Sequence, residues 1–309
     1  MSLNSTIYDA LIIGGGPAGV SCAVWLMRLG LLPIVVESKA QVGGLCRENP
    51  FLDEWNVALP GVSGAKVADN LALSLEQAGV PLRLSCAARD VAPAGHEFSV
   101  ACDGMAVPLK SRHVVLATGV RPRGLGAGTF AAGKDAGRSP GPCPSGILVG
   151  PGAHVVAQDF HGKRVAVLGG GDNAFENALY ALDHGAAKVH VYARNIRAQR
   201  QFLRKFPSAD VRLGGYRVDA AARRIDDEVY DLVLVFYGWE PCADYVNTLG
   251  LHRSAHGFIA TDMQTAQTSF PGVYAIGEVA QRQHPCVVTA LADGVAAAKA
   301  IQARIEAGQ

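Results

Sequence analysis

The chain has few cysteines, no excess of charge of one sign and no long apolar run free of glycine or proline. Its seven cysteines include no Cys-x-x-Cys pair, and even the nearest two, Cys86 and Cys102, are 16 residues apart. This spacing excludes a disulfide framework and a zinc site, and a scattered, odd set is typical of reduced thiols in the cytoplasm. The net charge is +1 without a basic run, so we expect neither nucleic acid nor a membrane surface as a partner.

One apolar stretch, residues 10–27, is long enough to imitate a membrane span or a signal peptide. Asp9 precedes it, no Lys or Arg does, and glycines and a proline interrupt it. A secretory signal requires a basic segment before its apolar part. We therefore interpret this stretch as a strand, a turn and a buried helix of a soluble protein.

Length and periodicity predict two α/β domains. The chain has 309 residues, about twice the usual size of one domain. Residues 8–13 and 33–37 have the near-continuous apolar composition of buried parallel strands, with a helix over residues 17–29 between them. The same order of strand, glycine loop, helix and strand occurs again about 155 residues later, from Arg164 to Tyr192. One nucleotide site is expected in each copy.

The first glycine loop has the spacing of a dinucleotide-binding motif. Gly14, Gly16 and Gly19 allow a tight turn, an approach of backbone to a pyrophosphate, and close packing of helix on strand. The helix that follows places its free N–H groups and its dipole towards the phosphates. Glu37 ends the second strand, where an acid would bond a ribose hydroxyl.

Two short crossings divide the chain. Thr118–Pro122 and Tyr237–Pro241 flank the second copy, and residues 123–152 contain nine glycines and four prolines, which indicates a long loop. We predict two Rossmann-like three-layer domains, with an inserted domain over residues 121–241 and a discontinuous domain made of residues 1–120 and 242–309. A helix from about Val287 to Glu306 ends the second part.

Several motifs together resemble the low-molecular-weight thioredoxin reductase group of pyridine nucleotide-disulfide oxidoreductases, over the length from Ala10 to about Arg304. The motifs are Gly14–Gly19, Gly43-Gly44, Ala117-Thr118-Gly119, Gly169–Ala174, Pro271–Glu278 and Val287–Ala290. The resemblance implies FAD in the discontinuous domain and NAD(P)H in the inserted one. It also implies a homodimer.

The resemblance implies a set of FAD-binding residues. Gly277 and Glu278 take the place of a Gly-Asp pair that holds the flavin ribityl chain, so Glu278 is longer by one methylene. Trp55 and Asn56 match a loop near the flavin and are expected to pack or hydrogen-bond there. The full FAD set is Gly14, Gly16, Pro17, Ala18, Gly19, Glu37, Ser38, Gly43, Gly44, Leu45, Asn56, Ala117, Thr118, Gly119, Gly277, Glu278, Cys286 and Val287.

The second loop has the pattern Gly169-x-Gly171-x-x-Ala174, and the resemblance implies NAD(P)H there. NADPH-dependent relatives have His-Arg-Arg after the next strand, whereas this chain has Tyr192-Ala193-Arg194, then Arg197 and Arg200. We expect NADPH rather than NADH, because no acidic residue replaces the arginines. The alternatives are NADH or a site that has lost its nucleotide. The predicted contacts are Gly169, Gly171, Asp172, Asn173, Arg194 and Arg197.

The redox dithiol of thioredoxin reductases is missing. Gly152-Ala153-His154-Val155 occupies its place when counted back from Val165. Dithiol exchange needs an attacking thiolate and a resolving sulfur. No catalytic residue is therefore assigned; the weak candidates are Cys286, which precedes the last helix, Cys46 in a loop expected to border the flavin, and His154, with His284 as a further possible proton donor.

The leading hypothesis is an FAD-dependent reductase that takes hydride from NAD(P)H and passes electrons to a ferredoxin- or flavodoxin-type carrier or a small molecule. A second hypothesis is thiol–disulfide chemistry at a lone flavin-proximal cysteine, or ferredoxin as the electron donor. A third is a flavin-binding sensor without turnover. Reduction of the flavin by each donor separates them.

Overall fold

The computed structural model describes residues 6–126 and 144–308. In these ranges the chain forms two compact units. Unit 1 contains the residues up to Arg121 and those from Glu240 onward, and unit 2 runs from Pro122 to Trp239. Each unit is built on a mainly parallel sheet with packed layers on both faces. The predicted α/β class with Rossmann-like domains is confirmed.

The strands, in chain order, are β1 (Ile7–Ile13), β2 (Pro33–Val36), β3 (Leu82–Arg83), β4 (Ala88–Ala94), β5 (Glu97–Cys102), β6 (Leu109–Leu116), β7 (Val120–Pro122), β8 (Ile147–Val149), β9 (Arg164–Leu168), β10 (Lys188–Ala193), β11 (Val211–Leu213), β12 (Val218–Asp219), β13 (Arg224–Ile225), β14 (Glu228–Val229), β15 (Leu232–Val235), β16 (Trp239–Pro241) and β17 (Val273–Ala275). The α-helices are α1 (Pro17–Arg28), α2 (Leu45–Glu48), α3 (Gly64–Ala78), α4 (Ala153–Val156), α5 (Asp172–Asp183), α6 (Arg200–Leu203) and α7 (Val287–Glu306). Short 3-10 helices span Ser208–Asp210, Asp244–Leu249 and Gly277–Val279. Within the described ranges, none of the helices combines the length and apolarity needed to cross a membrane.

Unit 1 contains a seven-stranded sheet of order β3-β2-β1-β6-β5-β4, with β17 also beside β6. The first half of β6, Leu109–Ser111, pairs antiparallel with β5, and its second half, Val114–Leu116, pairs parallel with β17. Strands β1, β2 and β6 are parallel neighbours. The carboxyl ends of β1, β6 and β17 therefore lie along one edge, which is where open α/β sheets present their loops.

Successive residues of β1 are buried on opposite faces of this sheet. Ala10 and Ile12 belong to a core shared with α1, α3 and α7, while Leu11 and Ile13 belong to a second core closed by the segment around Val246. Side chains alternate along a strand, so full burial of both sets requires a layer on each face. This is the physical reason for the continuous apolar composition of the strand.

Helices α1 and α7 approach each other closely at Gly294. A Cβ atom there would lie 2.5 Å from the Ala18 carbonyl oxygen and 2.7 Å from the Cys22 nitrogen. Any side chain at position 294 would separate the two helices. The contact thus fixes the first turn of α1 against the N-terminal half of α7.

Unit 2 contains a five-stranded parallel sheet of order β11-β10-β9-β15-β8. Val165 and Val167 pack against Phe175 of α5, whereas the opposite face packs against Ile225 and Tyr230, on and beside the small antiparallel sheet β12-β13-β14. Strand order and layers repeat those around β1 in unit 1, as expected for a second copy of the same motif.

The prediction of a long loop over residues 123–152 is wrong near its C-terminal end. Residues 147–149 form β8, which pairs in parallel with Val233–Val235 of β15 and completes the sheet of unit 2. Three apolar residues are too few to show a period, and the neighbouring glycines and prolines obscured them. Cys143 lies outside the described residues.

Candidate dinucleotide sites

The first glycine loop joins β1 to α1, and its outer glycines are enclosed by backbone. Gly14 has φ +113°, and a Cβ there would lie 2.3 Å from the Ala117 carbonyl oxygen; a Cβ on Gly19 would lie 2.0 Å from the Gly14 oxygen. Gly16 is different, because its nearest neighbour is the Gly44 Cα at 3.9 Å. The loop is closed around its ends and open at its middle glycine.

Gly16 is also the N-cap of α1 and brings no capping side chain to the first helical turn, which starts at Pro17. The N–H groups of Ala18 and Gly19 therefore remain for another acceptor. Free amides and the helix dipole at an N-terminus favour an anion such as a phosphate. This geometry fits the pyrophosphate-binding role predicted for these residues.

Glu37 is buried, and its carboxylate holds the loop together. One oxygen accepts the Gly15 amide at 2.7 Å, and the other accepts the Lys39 amide at 2.8 Å and the Ser38 hydroxyl at 3.1 Å. The oxygen that accepts the Gly15 amide has one further lone pair, whereas the other oxygen already accepts two hydrogen bonds. The predicted bond from a ribose hydroxyl to Glu37 stays a prediction, alongside this structural role.

The second glycine pair, Gly43-Gly44, lies against the first loop. The Gly43 amide donates to the Gly15 oxygen at 2.7 Å, and a Cβ on Gly44 would be 3.2 Å from the Gly16 Cα. Leu45 then starts the short helix α2. On the other side of the loop, Ala117 donates its amide to the Ile13 oxygen at 2.8 Å.

Three further predicted FAD residues lie in fixed loops. The hydroxyl of Thr118 donates to the Cys242 oxygen at 2.5 Å, and Gly119 follows with φ +65°. Asn56 is buried, whereas its neighbour Trp55 is 64% exposed. Trp55 therefore packs little against the protein itself.

The Gly277-Glu278 turn lies beside α1 and is held by two residues that the sequence reasoning missed. Gly277 has φ +69°, its amide donates to Asp293 Oδ2 at 3.0 Å, and Asp293 Oδ1 accepts from Arg282 at 2.6 Å. Arg282 also donates to the Met263 carbonyl oxygen. The available signal was Asp293 itself, the only charged residue in the first half of α7.

Burial raises the pKa of the Glu278 carboxyl above its usual value. Burial also raises the pKa of Asp293, although Arg282 and the Gly277 amide act in the opposite direction. Arg282, Cys286 and Thr289 help to line a small cavity of about 10 Å³ beside this turn, which has room for one water molecule. The Nε of Arg282 is buried without a partner among the described residues.

The candidate cysteines differ in their surroundings. Burial raises the pKa of Cys46 to about 11, and the carboxylates of Asp53 and Glu278 contribute. Cys286 is the N-cap of α7, where its amide donates to the Thr289 hydroxyl at 3.2 Å. That hydroxyl in turn donates to the His284 carbonyl oxygen at 2.7 Å. Val287 begins the helix.

Cysteines that are distant in sequence meet in one place. Cys86 and Cys102 are both buried in the same core of unit 1, where the Cys102 thiol donates to the Val100 carbonyl oxygen at 3.9 Å. Burial and the neighbouring Cys86 thiol raise the pKa of Cys102 to about 12. Both are free thiols. His154 belongs to unit 2, where it is exposed in α4.

The second glycine loop, between β9 and α5, repeats the shape of the first. Gly169 has φ +145° and a Cβ there would be 2.3 Å from the Phe236 carbonyl oxygen, whereas a Cβ on Gly171 would point into open space, with no neighbouring atom within 4 Å. Gly171 caps α5 without a side chain, and Asp172 and Asn173 form its first turn. The middle glycine is again the one that leaves room for a ligand.

The arginines after β10 lie beside this loop. Arg194, Arg197 and Arg200 are exposed, and the Arg197 amide donates to the Gly170 oxygen at 2.6 Å. Gln199, which sequence reasoning missed, donates its backbone N–H and its side-chain Nε2 to the two oxygens of Asp172, at 2.7 and 2.8 Å. A glutamine in a polar segment gives no sequence signal for such a contact.

Comparisons with known proteins agree with this geometry. The family model of the pyridine nucleotide-disulphide oxidoreductases matches residues 8–294. The chain is 32% identical over 295 residues to a ferredoxin–NADP reductase of Limosilactobacillus fermentum, covering 88% of this chain and 85% of that protein. It is 26% identical over 319 residues to a bifunctional thioredoxin reductase/thioredoxin of Mycobacterium leprae, covering 96% of this chain and 66% of the relative.

Its fold matches that of a crystal structure of Lactococcus lactis thioredoxin reductase, with a TM-score of 0.78, 22% identity, and coverage of 97% of this chain and 99% of the other. The family implies FAD and a nicotinamide nucleotide as cofactors and oxidoreductase activity. The chain therefore belongs to the pyridine nucleotide-disulphide oxidoreductase family.

Proposed function

We propose that the chain is an NADPH-dependent flavoprotein reductase, with FAD in unit 1 and NADPH in unit 2, that passes electrons to an external acceptor. The acceptor class is a ferredoxin- or flavodoxin-type carrier or a small oxidised molecule. The supporting observation is that both glycine loops are closed at their first glycine and open at the middle one, Gly16 and Gly171, in a chain without Cys-x-x-Cys.

In unit 1 the proposed FAD site combines the open face at Gly16 with the free amides of α1 for the pyrophosphate. Glu37 would accept a ribose hydroxyl, and Glu278 would bond the ribityl chain. A desolvated carboxyl such as that of Glu278 can donate as well as accept when it holds its proton. When bound, FAD supplies the ring that accepts hydride and releases electrons, while the protein positions it.

In unit 2 the proposed NADPH site combines Gly171 and the N-terminus of α5 with Arg194 and Arg197. Guanidinium groups suit a phosphate because their N–H donors form a planar fork. Both arginine side chains are exposed, so both are available to a 2′-phosphate. NADP is also named in the L. fermentum relative.

We infer an external acceptor because the sequence has no Cys-x-x-Cys and the described part of unit 1 offers no pair of thiols for disulfide exchange on its flavin side. Cys46, with its pKa near 11, is a protonated and weakly nucleophilic thiol at neutral pH. Cys86 and Cys102 meet, yet both are buried in the core. Cys286 is a lone thiol, so its chemistry would need a second sulfur from a substrate.

Anaerobic reduction by NADPH, NADH and reduced ferredoxin, measured in parallel as loss of flavin absorbance, tests the proposal. We expect rapid reduction by NADPH and slower reduction by NADH. If neither nucleotide reduces the flavin, the proposed function fails. Reduction by ferredoxin alone would reverse the direction of electron flow, and flavin that no donor reduces would point to a sensor.

The proposal includes a cytoplasmic homodimer. The described cysteines are free thiols, as in a reducing compartment. Analytical ultracentrifugation of the flavin-loaded protein measures the state directly, and a monomer at micromolar concentration would contradict the dimer.

A further inference from the structure

The segment after β10 does not extend away from the sheet but returns to the glycine loop of unit 2. The amides of Arg197 and Ala198 both donate to the Gly170 oxygen, at 2.6 and 2.9 Å. The approach is so close that a Cβ on Gly170 would lie 1.9 Å from the Asn195 oxygen. The segment that contains Arg194 and Arg197 is thus in direct contact with the glycine loop.

A side-chain contact completes this attachment. Gln199 donates its backbone N–H to Asp172 Oδ1 at 2.7 Å and its Nε2 to Asp172 Oδ2 at 2.8 Å. Both oxygens of Asp172 are therefore directed to Gln199. Asp172 is the first residue of α5, next to the open glycine Gly171.

This arrangement has two consequences for the binding of a phosphate. The Asp172 carboxylate at the start of α5 repels a nearby phosphate, and the two N–H donors of Gln199 that face its oxygens partly offset this charge. At the same time the contact ties the exposed arginines to the helix N-terminus. Ordering a mobile backbone costs conformational entropy, so a backbone that is already held in place lowers the cost of binding a phosphate.

We propose that Gln199 is a positioning residue for recognition of the 2′-phosphate of the nicotinamide nucleotide. It acts through its hydrogen bonds to Asp172, which hold residues 194–199 against the glycine loop. Held in this position, the segment directs Arg194 and Arg197 towards that phosphate. This inference rests on the proposed NADPH site and assigns its specificity to a residue outside the glycine motif and the arginines.

The chain offers a matched set of variants. Gln199→Glu places two carboxylates against each other and opens the contact. Asp172→Asn is mild, because the introduced amide still accepts the backbone N–H of residue 199 and the Gln199 amide can flip to accept the new donor. In the double variant Asp172→Asn/Gln199→Glu the asparagine donates to the glutamate, which restores both hydrogen bonds and the native net charge.

Gln201→Glu is the control for charge alone. Gln201 is exposed in α6, two residues after Gln199, and both oxygens of Asp172 are bonded to Gln199, so the substitution adds the same charge close to the pair without changing either partner. Thermal unfolding of each flavin-loaded variant checks that unit 2 stays folded.

The experiment measures binding of adenosine 2′,5′-bisphosphate and of 5′-AMP to the flavin-loaded protein by isothermal titration calorimetry. In Gln199→Glu we expect the bisphosphate to bind about tenfold more weakly, the loss of one charge-assisted contact, while 5′-AMP changes little. The double variant should recover most of the loss, and Gln201→Glu should show little of it.

Two other results are distinguishable. If the natural protein binds both nucleotides equally, the NADPH preference fails and the role of Gln199 fails with it. If the natural protein prefers the bisphosphate and Gln199→Glu keeps that preference, or if the double variant recovers nothing, only the role of Gln199 is overturned.

Discussion

Arg282 and Asp293 form an ion pair of 2.6 Å between two side chains that are only 4% and 7% exposed. The second oxygen of Asp293 accepts the amide of Gly277. The pair therefore braces the Gly277-Glu278 turn, which follows β17, against α7. A proposed ribityl-binding turn is fixed in this way by side chains that need not touch the cofactor.

Removal of one partner should be costly. Arg282→Met leaves the Asp293 charge buried without its counterion, and we expect a loss of about 3–5 kcal/mol in the free energy of unfolding. Asp293→Asn keeps an acceptor for the Gly277 amide, so it should destabilise the turn less than Arg282→Met does, although it leaves Arg282 without its counterion. Urea unfolding and flavin content are the measurements.

The control is the double variant Arg282→Met/Asp293→Asn, which removes both charges and should be more stable than Arg282→Met. If the free energy of unfolding of Arg282→Met lies within about 1 kcal/mol of that of the natural chain, the ion pair does not stabilise the turn, because exposed surface pairs typically contribute that little.

Glu278 should make the stability of the flavin-free chain depend on pH. Burial raises its folded pKa, so above the usual glutamate value the unfolded chain loses the proton while the folded chain keeps it. The contribution of Glu278 to stability is then largest in acid and falls as the pH rises through this window. Glu278→Gln should reduce the slope of the free energy of unfolding against pH. Glu54→Gln, at an exposed side chain, is the control, and equal slopes in all three proteins would contradict the assignment.

The two kinds of glycine in the unit 1 loop should respond differently to alanine. Gly14→Ala meets both a positive φ and a backbone oxygen at 2.3 Å, so we expect a loss of more than about 1 kcal/mol in stability. Gly16→Ala has space for its methyl group and should fold normally but retain less flavin. Circular dichroism and flavin fluorescence separate the two effects. Full flavin content in a folded Gly16→Ala protein would show that the phosphates lie elsewhere.

Cys46 should behave as an unreactive thiol. Because its pKa is raised to about 11, alkylation by iodoacetamide should be slow at neutral pH and increase up to that value. Cys46→Ser should leave electron transfer to the acceptor unchanged. Fast labelling of Cys46 at neutral pH, read by mass spectrometry, would restore it as a candidate for thiol chemistry.

Sequence reasoning succeeded where residues repeat a local pattern. The buried strand β1, the glycine loop, helix α1 and the last helix from Val287 to Glu306 were predictable because their apolar period, glycine spacing and end signals are local. The predicted bounds differ from the structure by one residue at β1 and α1. Short strands such as β8 lack a period and were missed.

The polar contacts that hold the sites were not predictable. Arg282 with Asp293 and Gln199 with Asp172 join positions that are 11 and 27 residues apart. Each pair meets only because the sheets bring separate loops and helices together, and no local spacing encodes it. The residues of a ligand motif can be found in a sequence, whereas the residues that position the motif depend on the tertiary fold.

The central claim is that electrons leave the flavin without a protein dithiol. Anaerobic titration of the FAD-loaded protein with NADPH measures this directly, because a flavin takes up one hydride equivalent and a dithiol in exchange with it takes up a second. We predict complete reduction at one equivalent of NADPH per flavin, with no further consumption. Consumption of two equivalents per flavin would reveal a redox-active disulfide and contradict the account.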